Sequence, residues 1–89
     1  VLFNPHLQSD EDKLGTINHR TQVLEIEPNC PQSQREVIFW HEIMHGVSNN
    51  YRLSIPEDCI DNLACGVVQF LKDNFDIEFD FSDIPEKEG

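Results

Sequence analysis

The chain has 89 residues, 38% of them hydrophobic, with a single Trp, which is material for one small domain with one modest core. Six basic residues against seventeen acidic ones give a formal charge of -11, which excludes a nucleic-acid partner, because affinity for a phosphate backbone rests on cationic neutralisation. No stretch approaches the roughly 18 continuous apolar residues that span a bilayer, and no basic-then-apolar leader opens the chain, so no membrane partner and a soluble, cytoplasmic location are expected.

Residues 1 to 13 contain Asn4-Pro5 and the acidic run Asp10-Glu11-Asp12, a composition of loop rather than packed structure. From Leu14 to Glu27 the residues become β-branched and alternating, with Val23, Glu25 and Glu27 on one side and Leu24 and Ile26 on the other. This predicts a hairpin turning near Asn18-His19-Arg20. Pro28, Asn29 and Pro31 end the strand, and a helix from about residue 31 to 47 follows. On a 100° wheel Val37, Phe39, Trp40, Ile43, Met44 and Val47 form one broad apolar arc, beside which His41, Glu42 and His45 sit. Gly46 or Asn49-Asn50 is expected to end this helix.

Ser54-Ile55-Pro56-Glu57 reads as the start of a second helix, with Ser54 as N-cap. That helix, about residues 56 to 74, turns Ile60, Leu63, Ala64, Val67, Phe70 and Leu71 one way and Asp58, Asn62, Gln69 and Asp73 the other. Beyond it Ile77, Phe79 and Phe81 alternate with Glu78, Asp80 and Ser82, a pattern for a further strand with a solvated acidic face. Cys30, Cys59 and Cys65 form no C-x-x-C pair and read as small buried thiols in a reducing compartment.

The sharpest motif is His41-Glu42-Ile43-Met44-His45. Residues four apart on a helix share a face, so both imidazoles can reach one tetrahedral ion at about 2.0 to 2.1 Å. Glu42, turned about 100° from His41, can reach a water on the metal instead of the metal itself. It is therefore the candidate general base, with attack of zinc-bound water on a carbonyl as the reaction. With four His and nine Glu in 89 positions, H-E-x-x-H arises by chance on the order of 1% of the time.

A catalytic zinc takes a third protein ligand and leaves a position for water. The continuation H-E-x-x-H-x-x-G-x-x-H would need Gly at 48 and His at 51, where this chain has Ser48 and Tyr51, so the metzincin arrangement is rejected. A Glu on the next helix is the other common source, and Glu57 with Asp61 one turn later fits it. Glu57 would bind the metal, and Asp61 would accept an N–H from His41 or His45 and fix its tautomer. A competing role for Glu57 is the capping box Ser54-x-x-Glu57; Asp58 is the alternative ligand. His19 and Tyr51 are candidate donors to a developing oxyanion. Asp76, Glu78 and Asp80 lack the glycine and closing Glu of a calcium loop.

The run from Leu14 to Asn74 resembles small phage-type and prokaryotic zincins related to the ImmA/IrrE metallopeptidases, within the gluzincin-like group. The resemblance lies in the hairpin through Leu14-Gly15-Thr16 and Glu25-Ile26-Glu27, in Gln34-Arg35-Glu36 leading into His41 to His45, and in Glu57-Asp58 followed by Asp61-Asn62-Leu63-Ala64. It implies a minimal zincin fold, one zinc ion on His41, His45 and Glu57, Glu42 as catalytic base, and regulatory proteins as substrates.

The expected protein is therefore a single α+β domain over residues 1 to 89, with a core from about 14 to 81 and flexible acidic ends. In it a small antiparallel hairpin packs on two helices with zinc between them. The expected activity is zinc-dependent hydrolysis of a protein or peptide substrate, paired along the hairpin's exposed edge. The alternative is a non-enzymatic or weakly active zinc-bound domain that binds a basic protein.

Overall fold

The computed structural model describes residues 1–8, 13–82 and 84–86. The acidic run at 10–12 and the last three residues, where flexible ends were expected, lie outside the described residues. The elements in chain order are β1 (Leu2–Phe3), β2 (Gly15–Asn18), β3 (Val23–Ile26), α1 (Gln32–Asn50) and α2 (Glu57–Phe75). The fold is α+β, a three-stranded sheet and two helices, as the residue patterns predict.

The hairpin is where the alternation places it. β2 and β3 pair antiparallel with Thr16 opposite Glu25 and Ile17 opposite Leu24. Asn18 closes the turn, its side-chain Oδ1 accepting from the backbone N–H of Arg20 and Thr21 at 3.0 and 3.1 Å, the local bonding that favours Asn in turns. Leu24 and Ile26 are buried and, with Ile38 and Phe81, form the core.

The sheet is mixed rather than purely antiparallel. β1 runs parallel to β3 on the side away from β2, so the strand order is β1-β3-β2. The loop expected over residues 1 to 13 thus holds packed structure: Leu7 is fully buried and Asn4 is buried. Two polar residues fasten the segment. Asn4 Nδ2 donates to Glu25 Oε1 at 2.8 Å. The buried Glu27 carboxylate accepts from the backbone N–H of Gln8 and Asn29, which satisfies a charge that burial would otherwise make costly.

α1 is the central layer, with the sheet on one side and α2 on the other. Its most buried positions are Glu36, Ile38, Glu42, Gly46 and Ser48, not the predicted arc, in which Phe39 and Ile43 are half-buried and Val47 is exposed. The wheel failed because the close contact with the sheet is made by small and polar residues. At Gly15 of β2 an added Cβ would lie 2.5 Å from Ile38 Cγ2 and 3.2 Å from Glu42 Cγ, and at Gly46 it would meet Ile17 at 3.0 Å. Two glycines thus let strand and helix approach over Glu42.

α1 ends at Asn50 in a Schellman arrangement. The N–H of Leu53 donates to Ser48 O at 2.9 Å and that of Arg52 to Asn49 O at 3.3 Å, with Arg52 in the left-handed region at φ 56°. The Ser48 hydroxyl accepts from Ile55 N–H at 3.0 Å and draws the connection back onto α1. Ser54 does not cap the second helix. Pro56 holds that position without a side-chain cap bond, and Ser54 itself sits at φ 55°. The helices are antiparallel, since Glu36 early in α1 meets Lys72 late in α2, while His45 late in α1 meets Glu57 early in α2.

The expected strand beyond α2 does not form. Phe81 is buried and Phe79 half-buried, while Glu78 and Asp80 are exposed, so the alternation is real. Side chains of α1, however, take the backbone groups that a neighbouring strand would use. Phe79 N–H donates to Glu36 Oε2 at 3.2 Å, and Gln32 Nε2 donates to Phe79 O at 2.7 Å. The cysteines also depart from expectation: Cys30 is half-buried, and Cys59 and Cys65 are exposed. Among the described residues no helix is long and apolar enough to cross a membrane.

Candidate metal centre

His41 and His45 project from α1 toward the N-terminal turn of α2, which carries Glu57 and Asp61. The short connection, turned sharply at Arg52 and Ser54, brings that turn opposite the histidines. His41 Nε2 lies 2.7 Å from Glu57 Oε1, His45 Nε2 lies 2.9 Å from Glu57 Oε2, and the two Nε2 atoms are 3.1 Å apart. On its other side His41 Nδ1 is 2.7 Å from Asp61 Oδ1.

The chemistry of these contacts is unbalanced. A carboxylate oxygen only accepts, so Asp61 requires the proton of His41 on Nδ1, and the lone pair of a neutral ring is then on Nε2. That lone pair faces a carboxylate oxygen and the Nε2 of His45. Groups turned toward one another at these distances are matched either by a proton on a ring nitrogen or by a cation held between them. Around a tetrahedral zinc with bonds of about 2.0 to 2.1 Å, ligand atoms would be roughly 3.3 Å apart; here one ligand atom from each of the three residues lies within 4.8 Å of the others, the two imidazoles facing different oxygens of Glu57. Two imidazole nitrogens and one carboxylate also form a recognised catalytic zinc set. Among the described residues His41, His45 and Glu57 are the group that can hold a metal ion together. Glu57 therefore stands opposite the imidazoles rather than in a capping box, and Asp58 is exposed and outside the group.

Glu42 lies apart from that group, buried under β2. Burial raises its carboxyl pKa above the ordinary value; the neighbouring His41 and His45 oppose that shift, and Glu57 adds to it. A carboxylate held in this way is a stronger base than one in water, as general-base work near neutral pH requires.

A cleft of about 630 Å³ opens over the site, walled by Gly15, Thr16 and Ile17 of β2 and floored by Ile38, Glu42 and the ligand cluster. Among the described residues β2 is the outer strand of the sheet, and its edge away from β3 runs along the cleft. His19 also lines it. Tyr51 follows α1, is 74% exposed and is not among the lining residues. Lys13, Gln34 and Val37, which the residue patterns do not assign to a site, line the cleft as well, because the fold of β2 over α1 brings them there. Compared with known proteins, the chain matches no family model, no curated protein and no solved structure.

Proposed function

We propose that this chain is a zinc-dependent peptidase of gluzincin-like type, acting in the cytoplasm on a protein or peptide substrate and related to the small phage-type zincins. What carries the reading is the convergence of His41 Nε2 and His45 Nε2, 3.1 Å apart, on the two oxygens of the Glu57 carboxylate at 2.7 and 2.9 Å, beside a buried Glu42 that is not one of them. When bound there, zinc supplies a Lewis acid and acidifies a bound water.

The chain's own residues do the rest. Asp61 holds the His41 ring through Nδ1, which keeps Nε2 aimed at the ligand cluster. An extended substrate adds to the free edge of β2, so that main-chain hydrogen bonds align its scissile amide along the cleft. Glu42 accepts a proton from the attacking water at its carboxylate. It then returns that proton to the departing amine nitrogen as the C–N bond breaks. The buried position of Glu42 beneath Gly15 and beside the imidazoles limits competing water.

Glu42→Gln tests the mechanism on a pool of unstructured peptides. Zinc affinity is expected to persist while cleavage falls by at least about 100-fold, the scale of a lost general base; equal cleavage by both forms would sink the assignment. A second reading, a zinc-bound interaction domain without peptidase activity, draws on one observation: the same three residues tie α1 to the start of α2. Collapse of the helical circular dichroism on chelation, with no cleavage by the loaded wild type, favours that reading.

A further inference from the structure

The outer face of α2 is apolar and uncovered among the described residues. Cys59, Leu63, Gly66, Val67 and Phe70 line a groove of about 620 Å³, with Leu63 45% and Phe70 58% exposed. On the helix wheel this face lies opposite Glu57 and Asp61, so it is separate from the metal cluster. The sequence pattern grouped Leu63 and Phe70 with the packed residues, yet only Ile60, Ala64 and Val68 of α2 are buried.

Gly66 has no intrachain reason to be glycine. Its φ is not positive, and an added Cβ would meet nothing within 4 Å, while glycine inside a helix weakens it relative to alanine. What it does is leave a notch in the groove, of the kind that lets a second helix come close. The groove's surroundings select the charge of that helix. Of the four acids on α2, Glu57 and Asp61 lie on the opposite face and Asp58 and Asp73 lie beside the groove, while the helix's one base, Lys72, is paired with the buried Glu36 at 3.0 Å. Exposed Asp73 falls between Asn62 and Gly66 on the wheel, and exposed Asp58 falls just outside Asn62. A second copy brings the same acidic rim and another charge of -11, and anionic lipid is repelled in the same way.

We infer that this groove docks an amphipathic helix of a partner protein, its apolar stripe seated across Gly66 and its Lys and Arg residues against the acidic rim at Asp58 and Asp73. Such a helix buries the exposed leucine and phenylalanine rows and matches the rim in sign.

The test titrates the full chain into a fluorescein-labelled helical peptide of about 18 residues, five turns, with a Leu stripe flanked by Lys, read by anisotropy. A twin flanked by Glu is the control. The Lys peptide is expected to bind at least about tenfold tighter than its twin, a preference that shrinks as salt screens the rim. Gly66→Trp fills the notch and lowers affinity at least about tenfold, as does Phe70→Glu, with helical circular dichroism and zinc affinity unchanged. Equal binding of both peptides, or wild-type affinity in both variants, overturns the proposal. So does a stable dimer that Gly66→Trp dissociates, because the groove would then belong to a second copy.

Discussion

The interface between α1 and α2 carries a polar cluster at each end, and the two are built on opposite principles. At one end the fully buried Glu36 has its charge matched by Lys72 at 3.0 Å and its second oxygen bonded by Phe79 N–H at 3.2 Å. There the charge is matched within the chain, Oε1 by the Lys72 ion pair alone and Oε2 by a backbone N–H. At the other end His41, His45 and Glu57 turn acceptors toward one another, and only Asp61 is matched, by the Nδ1 proton. The contrast separates a carboxylate that holds helices and tail together from one that, in the proposed function, would hold a cation. The charge of each residue alone does not make that distinction.

The largest effect is expected from Glu57→Ala. Four-ligand zinc sites bind with about 10–16 kcal/mol, so one ligand in four carries roughly 3–4 kcal/mol, or about 100- to 1,000-fold in affinity. Asp61→Asn, which removes only the carboxylate behind His41, should cost about 10- to 100-fold. Competition with a chromophoric chelator measures both, and a Glu57→Ala protein that binds zinc like wild type would return that residue to the helix terminus alone.

At the Glu36 end the readout reverses. Lys72→Met strands a buried carboxylate and should destabilise the fold by about 3 kcal/mol, the low end for a broken buried pair because Lys72 is one-third exposed. That corresponds to a fall in Tm of more than about 10 °C for a domain of this size, with zinc affinity in the folded protein unchanged. A drop in zinc affinity matching that of Asp61→Asn would show that the two clusters act as one.

The smallest expected effect concerns Glu42, which lies at the histidine end, on the side of α1 that faces β2. Burial sets its folded pKa above the unfolded value, so the folded chain holds that proton more tightly. The resulting stability is present below the ordinary carboxylate range and is lost as pH rises through the raised value. Metal-free Glu42→Gln escapes that loss. Its Tm advantage over the wild type should grow from about pH 4 to about pH 8, and a gap that is flat with pH would remove the buried-base argument. A buried acid that costs stability while serving the cleft is the trade-off expected of a functional site.

Local pattern made much of the molecule legible. The hairpin follows from period-two alternation and the Asn18 turn, and both helices follow from their periodicity to within about three residues at each end. The ligand cluster follows from the four-residue spacing of His41 and His45 together with the acids that open the next helix. Asp61 behind His41 could be placed because helix geometry carries a residue one turn on to the same side. The N-terminal strand was hidden, because its two-residue pairing with β3 leaves no period to detect. The tail misled in the other direction, with strand alternation that Glu36 and Gln32 convert into side-chain bonding.

Sequence by itself therefore determined what acts within a few residues: the element types, the spacing of the histidines, and a strongly acidic composition. Tertiary structure alone decided which carboxylates are matched and which are left facing a lone pair. It also decided that Gly15 lies over Glu42 and that Leu63, Gly66 and Phe70 have no cover among the described residues. These depend on contacts between residues far apart in the chain, where distance and burial, rather than residue type, set the sign and size of each interaction.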